Sequence, residues 1–245
     1  MNGKDPLDGP EGGGARPEDV RRAVRPYAVA IGVLFLIVIV FVSVNTINNR
    51  PIGLQAGDRA PRFAAPSATG TTDRDANVNP KQACGVHGKD VVNICDYFDR
   101  PLVLTAWFSK CGGHCVPQLD RVERLRRQFP GVAFVGLDVR DSLDKARRTV
   151  LEHGWSFPMA LDRDGAVSAL YGVVVGPTTY FIYPRDVPGR AGVLREAVRA
   201  ELDEASLRRH VDALVRGSRA RERAIQEKAE HRPMRLARPV GRVDP

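Results

Sequence analysis

Between residues 102 and 215 the chain alternates short apolar runs with longer segments whose apolar residues recur at helical spacing. The short runs are rich in β-branched and aromatic residues and are predicted to be buried strands: 102–108, 132–137, 157–161 and 178–183. The longer segments are predicted to be helices: 114–128, 141–153, 164–171 and 207–215. A further strand, 193–198, is expected to pair with 178–183. This alternation predicts an α/β domain with parallel strands and an antiparallel hairpin near its end.

Two cysteines, Cys111 and Cys115, lie where the first of these strands meets the helix that follows. A helix N-terminus stabilises a thiolate, which is the reactive form of cysteine. Lys110 and His114 flank the pair and are expected to stabilise the thiolate further. We therefore predict thiol–disulfide exchange, with Cys111 as the exposed nucleophile and Cys115 as the resolving thiol. A purely stabilising disulfide is the alternative reading.

Four stretches of the sequence carry a family resemblance. They are residues 60–66 (A-P-R-F-A-A-P), Trp107 four residues before the first cysteine, residues 161–172 and the turn 176–179 (G-P-T-T). Together they resemble the membrane-anchored TlpA/ResA-type redoxins over about residues 58–215. The resemblance implies a thioredoxin-like fold, which is a central mixed sheet flanked by helices. It also implies that Pro177 forms a cis peptide facing the cysteines and that Trp107 packs at the site.

Several positions depart from that family. Three residues instead of two separate the cysteines, and Gly112 and Gly113 would let the backbone absorb the extra residue. Gln118 stands where anchored relatives often carry Glu, and Thr105 stands where thioredoxin has a buried Asp. A buried proton-relaying carboxylate is therefore not visible in the sequence.

A second cysteine pair, Cys84 and Cys95, lies in a polar insertion at about residues 70–98. In an oxidising compartment a structural disulfide that staples the insertion is the simplest interpretation. Two alternatives remain open: a relay that passes electrons to or from the first pair, and a metal site that adds His87. The metal site lacks an evident fourth ligand.

The N-terminal part contains one long apolar segment. No charged residue occurs between residues 26 and 49, and the run 28–44 is almost wholly apolar. Because a spanning helix needs roughly 20 such residues, we predict a transmembrane helix at 26–48, with residues 27–47 holding the chain in the membrane. A cleaved signal peptide is less consistent with the sequence, since the preceding segment is long and no A-x-A site follows.

Charge on the two sides of this run predicts its orientation. Four arginines precede the run: Arg16, Arg21, Arg22 and Arg25. On its other side only Arg50 follows closely. The positive-inside rule places residues 1–25, a predicted disordered tail, in the cytoplasm. A linker at 49–59 and a redox domain at 60–216 would then lie outside the cell membrane, where disulfides persist.

The C-terminal segment 217–245 is basic and contributes much of the net charge of +8. We predict that it is partly helical and partly disordered. A nucleic-acid role is not expected outside the membrane, and no motif for a cofactor is recognisable.

The partners predicted for this chain are protein thiols or disulfides, including those of a cytochrome-maturation protein or another secreted protein. A Sco-like copper chaperone is the main alternative, since such proteins share the fold, the anchor and a C-x-x-x-C loop, here Cys111 and Cys115, whose soft thiolates suit Cu(I). A thiol peroxidase is a third reading, although the peroxiredoxin pattern fails at both cysteines. An inactive scaffold is the fourth.

Overall fold

The computed structural model describes residues 29–43, 53–111, 113–186 and 191–230. Contacts divide the chain into two units, Met1–Pro51 and Ile52–Pro245. In the first unit, residues 29–43 form helix α1. Across the described ranges, no helix combines the length and the apolar character that crossing a membrane requires.

Parts of the predicted N-terminal organisation lie outside the described residues. These parts are the tail 1–25, both ends of the predicted span 26–48 and the first residues of the linker 49–59. The membrane anchor therefore stays a prediction.

The second unit contains seven strands among its described residues. They are β1 (Ala64–Pro66), β2 (Val91–Asn93), β3 (Leu102–Trp107), β4 (Ala133–Val139), β5 (Met159–Asp162), β6 (Thr178–Tyr183) and β7 (Val193–Val198). Five of them form a mixed sheet in the order β5-β4-β3-β6-β7. β3, β4 and β5 are parallel, whereas β6 is antiparallel to both β3 and β7. The predicted α/β arrangement and its terminal hairpin are confirmed.

β3 is the central strand, and all six of its residues are buried. Leu102, Leu104 and Ala106 pack into one hydrophobic core. Val103 and Trp107 pack into a second core on the other face. A strand covered on both faces reads as a continuous apolar run, which is why the sequence identified it.

Four helices accompany this sheet in the described part of the chain. They are α2 (Cys115–Arg126), α3 (Leu143–Glu152), α4 (Ala166–Tyr171) and α5 (Glu204–Glu230). α2, α3 and α5 contribute to the core that contains Trp107. α4 contributes Val167 and Tyr171 to the opposite core. The sheet is therefore covered by helices on both faces, as the family resemblance implied.

α5 is much longer than the segment predicted for it. It extends to Glu230, so the predicted tail 217–245 begins inside a continuous helix. Most residues between 218 and 230 are Ala, Arg, Glu, Gln and Lys, which favour helices, and none is Gly or Pro. Residues 231–245 lie outside the described part.

The insertion at 70–98, described from the sequence as polar, contributes buried apolar side chains to a hydrophobic core. β1 and β2 pair antiparallel, and the short 3-10 helices Ala83–Gly85 and Ile94–Tyr97 flank β2. Ile94 is fully buried in the core that contains Leu104. Cys84 and Cys95 form a disulfide with a Cα–Cα distance of 5.5 Å, which holds the two short helices together.

We expect this disulfide to stabilise the fold by limiting the unfolded chain. The ring spans 11 residues, and closing a loop of that size contributes about 2 to 3 kcal/mol. The double variant Cys84→Ser/Cys95→Ser should lose that much free energy of unfolding in urea titrations without reductant. Each single variant should lose a similar amount, because either change opens the same ring. A loss below about 0.5 kcal/mol would contradict a stapling role.

Candidate functional site

The predicted redox cysteines are brought together in a disulfide. Cys111 and Cys115 are bonded, with a Cα–Cα distance of 6.0 Å. Cys115 is the first residue of α2 and is 2% exposed, whereas Cys111 is only partly buried. Cys111 is therefore the more accessible residue of the pair, and Cys115 is shielded.

The loop that carries the disulfide, residues 108–114, is called the redox loop below. Gly113 has φ +85°, a conformation that glycine adopts without the steric cost other residues meet. This agrees with the expectation that glycine absorbs the extra loop residue. Gly112 lies outside the described residues.

The turn before β6 lies directly against the buried sulfur. The Gly176–Pro177 peptide is cis, as the resemblance implied. A Cβ atom on Gly176 would lie 3.1 Å from Cys115 Sγ and 2.7 Å from Phe108 Cε1. Only glycine fits there without displacing the neighbours, so Gly176 is a site residue that the sequence reading treated merely as part of a turn.

Trp107 occupies the core beside the redox loop and is fully buried. Its Nε1 donates to Met159 Sδ at 3.1 Å. Its ring meets Trp155 edge to face at 5.3 Å between centroids. The predicted packing position of Trp107 is where the structure places it, and Trp155 is the partner that the sequence did not indicate.

His114 has a carboxylate partner, which the sequence did not indicate. Its Nδ1 lies 2.7 Å from Glu201 Oε2, and Arg121 Nη1 donates to Glu201 Oε1 at 2.6 Å. Hydrogen bonds from Arg121 and then from His114 lower the pKa of Glu201. Because Glu201 lies 87 residues away in the chain, no local pattern links it to the site. Lys110 is exposed and lines a neighbouring groove of about 460 Å³.

A neutral polar cluster occupies two of the positions at which the sequence departs from the family that it resembles, Thr105 and Gln118. Thr105, Gln118 and Thr179 are all fully buried. Gln118 Nε2 donates to Thr179 Oγ1 at 3.4 Å, and the Thr105 and Thr179 hydroxyls are also 3.4 Å apart. Gln118 Oε1 accepts from the Leu202 backbone N–H at 2.8 Å. Gln118 therefore ties α2 to the start of α5.

A buried carboxyl group is nevertheless present on β4, the strand next to the one that carries Thr105. Asp138 on β4 pairs in register with Trp107 on β3 and is fully buried. Apart from Asp141, no described residue offers either of its oxygens a hydrogen-bond partner. Burial, reinforced by the nearby Asp141, raises the pKa of Asp138 to about 9. Asp138 is therefore a buried carboxyl group beside the site that the sequence reading did not identify.

The two disulfides belong to different cores. Cys84 and Cys95 pack with Leu104 on one face of the sheet. Cys111 and Cys115 pack with Trp107 on the other face. The structure therefore does not bring the two pairs together as a relay would require. In the part of the chain that is described, no group of three or more His, Cys, Asp or Glu side chains is placed to hold a metal.

The comparisons with known proteins agree with this architecture. The family model described as the AhpC/TSA family matches residues 56–187. No curated protein sequence matches the chain.

Three solved structures resemble the fold. One is named as a thiol:disulfide interchange protein, DsbE, from Chlorobium tepidum, with TM-score 0.52, 22% identity and coverage of 66% of this chain and 99% of the other. Another is named as a protein disulfide isomerase from Bacteroides thetaiotaomicron, with TM-score 0.51, 19% identity and coverage of 68% and 95%. A secreted disulfide oxidoreductase from Mycobacterium tuberculosis has TM-score 0.47, 21% identity and coverage of 61% and 94%. At these identities the first two show the thioredoxin-like fold.

The raised pKa of Asp138 predicts a pH dependence of stability. The folded protein holds the Asp138 proton more tightly than the unfolded chain does. The contribution of Asp138 to the free energy of unfolding is therefore complete below about pH 4 and is lost as the pH rises toward about 9. Asp138→Asn does not titrate and should be more stable than wild type at pH 7 by at least about 1 kcal/mol. Urea titrations between pH 4 and 9 measure this difference.

Asp162→Asn is the matched control on the adjacent strand. Burial raises the pKa of Asp162 as well, but Asp162 accepts from the backbone N–H groups of Val167 and Ser168 at 2.9 and 2.7 Å. Its replacement weakens these bonds and should therefore gain less stability at pH 7 than Asp138→Asn. An Asp138→Asn protein whose stability changes with pH as much as that of wild type would contradict the assignment.

Gln118→Leu should leave the Leu202 N–H buried and without its acceptor. We expect a loss of about 1 to 3 kcal/mol in the free energy of unfolding. Thr105→Val, which removes only a long 3.4 Å contact, should cost less. Equal losses in the two variants would show that Gln118 does not join α2 to α5.

Proposed function

The chain belongs to the AhpC/TSA family, which covers residues 56–187, and from this premise we propose that it is a thiol–disulfide oxidoreductase acting through Cys111 and Cys115. One observation carries the proposal. The disulfide joins a shielded sulfur at the first residue of α2 to a partly accessible sulfur in the redox loop. This asymmetry is what stepwise disulfide exchange requires.

In the exchange, a thiolate of the partner protein attacks Cys111 Sγ. The new bond joins the partner sulfur to Cys111, and the Cys111–Cys115 bond breaks with its electron pair on Cys115. A second thiolate of the partner then attacks the partner sulfur of this mixed disulfide and releases Cys111. The partner leaves oxidised by two electrons, the pair is reduced by two electrons, and the partner's two thiol protons balance the new thiols. The reverse sequence oxidises the pair.

The position of Cys115 favours its departure as a thiolate. It is the first residue of α2, whose first turn contains no acidic residue. The free N–H groups and the dipole of a helix N-terminus stabilise a negative charge by about 0.3 to 1 kcal/mol, and by more when the charge is partly buried. Cys115 would therefore be the better leaving group, and Cys111 would be the sulfur joined to the partner.

The surroundings of the site suit a protein partner. Val174 and Val175 are 59% and 44% exposed in the segment just before the Gly176–Pro177 turn. Exposed apolar side chains next to a reactive group are suited to contact with another protein. Two structural neighbours are named for disulfide interchange and disulfide isomerisation, and the proposal brings that class of chemistry to this chain.

The finer assignment is a TlpA/ResA-type protein anchored in the cell membrane through residues 27–47. Its redox domain would then lie outside the membrane and act on secreted proteins, including those of cytochrome maturation, and not on nucleic acid. The apolar run, the arginines before it and the Cys84–Cys95 disulfide support this location.

Copper binding by a Sco-like protein is the second candidate. The spacing of three residues between Cys111 and Cys115 favours it, because the two thiolates of the reduced pair would suit Cu(I).

The two candidates separate in one set of assays on the full-length chain. Under the proposal the wild type catalyses reduction of insulin disulfides, and Cys111→Ser lowers the rate at least about 100-fold because the accessible sulfur is gone. Cys115→Ser should accumulate a mixed disulfide with insulin, detectable by mass spectrometry.

The double variant Cys84→Ser/Cys95→Ser is the matched control and should keep most of the exchange activity. Cu(I) titration runs in parallel. Tight one-to-one copper binding that Cys111→Ser abolishes, without insulin reduction by the wild type, would replace the oxidoreductase by the copper chaperone. Hydroperoxide consumption without insulin reduction would indicate the peroxidase.

A further inference from the structure

The redox loop is held by a carboxylate that lies beyond β4. The Ser109 backbone N–H donates to Asp141 Oδ2 at 2.8 Å, and the Ser109 hydroxyl donates to Asp141 Oδ1 at 2.6 Å. Asp141 is 9% exposed. Both oxygens of one nearly buried carboxylate are thus directed at a residue two positions before Cys111. Hydrogen bonds to a charged acceptor are about twice as strong as neutral ones.

A second acid lies close to this contact. Asp138, three residues earlier and fully buried, has no hydrogen-bond partner other than Asp141 in the described part of the chain. Two ionised carboxylates at such a site repel each other, so each raises the free energy needed to ionise the other. Asp141 already makes the two bonds to Ser109 and an ion pair with Lys145 at 3.7 Å. The charge therefore belongs on Asp141 and the proton on Asp138.

We propose that Asp138 and Asp141 form a proton-dependent clasp for the redox loop. While Asp138 is protonated, the single charge on Asp141 holds Ser109 and fixes how Cys111 is presented. When Asp138 loses its proton, a second negative charge arises beside Asp141, weakens the hold on Ser109 and repels an anionic thiolate that approaches Cys111. The inference rests on the proposed function in treating this disulfide as the reacting group, and it makes Asp138 a positioning residue.

The charges around Asp138 support this assignment. Its neighbours in register are Trp107 on β3 and Leu161 on β5, which carry no charge. α2 contributes Cys115 and Leu119 to the core on the same face. The charged groups that act on Asp138 are Asp141, which opposes its ionisation, and Lys145 on α3, which favours it. With the pKa of Asp138 at about 9, the clasp is closed at neutral pH and opens in alkaline solution.

Reduction of the oxidised full-length chain by dithiothreitol tests the clasp. The rate for Cys111–Cys115 is followed by alkylation and mass spectrometry of the Cys111 peptide between pH 7 and 10.5, and is divided by the fraction of dithiothreitol thiolate. In the wild type this corrected rate should fall at least about threefold, with a midpoint near the pKa of about 9. In Asp138→Asn, which mimics the protonated acid at every pH, the fall should be absent.

Three further variants make the result specific. Asp162 is a buried acid that is bonded to α4 and not to the redox loop. Asp162→Asn should therefore keep the fall in the corrected rate. Asp141→Asn should show a smaller fall, because no charge on residue 141 remains for Asp138 to oppose and only the repulsion of the approaching thiolate is left. This variant answers the question if Asp138→Asn does not fold. Ser109→Ala should show a smaller fall, because one of the two bonds to Asp141 is missing.

Persistence of the full effect in both Asp138→Asn and Asp141→Asn would overturn the proposal. A fall in Ser109→Ala as large as in the wild type would overturn the route through Ser109. Dithiothreitol needs no protein partner, so the test is independent of insulin reduction. If insulin is not reduced but the corrected rate still falls with pH, the oxidoreductase assignment is wrong and the clasp stands. If insulin is reduced but the corrected rate does not change with pH, the clasp alone is wrong.

Discussion

The geometry of the site depends on β3, a strand buried on both faces and hydrogen-bonded along both edges. Because β4 is parallel to it, the carboxyl ends of β3 and β4 meet at one edge of the sheet, where Asp138 lies beside Trp107. Because β6 is antiparallel, its beginning reaches the same edge, and Thr178 pairs with Ala106. The disulfide, the cis turn at Pro177 and the buried acid therefore converge from separate parts of the chain without being neighbours in sequence.

The acid at this edge differs in place from the one that the family resemblance led us to look for. Thr105 and Gln118 form a neutral cluster with Thr179, which is inexpensive to bury because every member has a partner. Asp138 is costly to bury by comparison, since no described residue other than Asp141 offers its oxygens a partner. The proposed clasp gives this buried acid a role in positioning the redox loop through Asp141.

The two disulfides divide between the two cores of the sheet. Cys84 and Cys95 close a ring within the insertion, pack against the core that contains Leu104, and receive a hydrogen bond from Arg185 Nη2 to the Cys95 carbonyl at 3.0 Å. Cys111 and Cys115 lie at the other face, joined by a loop in which Gly113 has a positive φ and which leads into the N-terminus of α2. The first arrangement suits a permanent cross-link, and the second suits a bond that opens and closes.

From the sequence we predicted the main strands and helices, the cysteine pair at the start of α2, the turn at Gly176 and Pro177, and a glycine in the redox loop with a backbone conformation that suits it. These features depend on local periodicity and on the conformational limits of single residues, which a sequence displays directly. The sequence also predicted a partly helical segment after residue 216, and α5 continues to Glu230, since residues 218–230 are mostly good helix formers.

The contacts that surround the site could be identified only in the folded protein. His114 meets Glu201, Gln118 meets Leu202, and Ser109 meets Asp141, at separations of 87, 84 and 32 residues. Such contacts are set by which strands lie side by side and by where each strand ends. The raised pKa of Asp138 has the same origin, because burial and a neighbouring charge exist only once the sheet has formed.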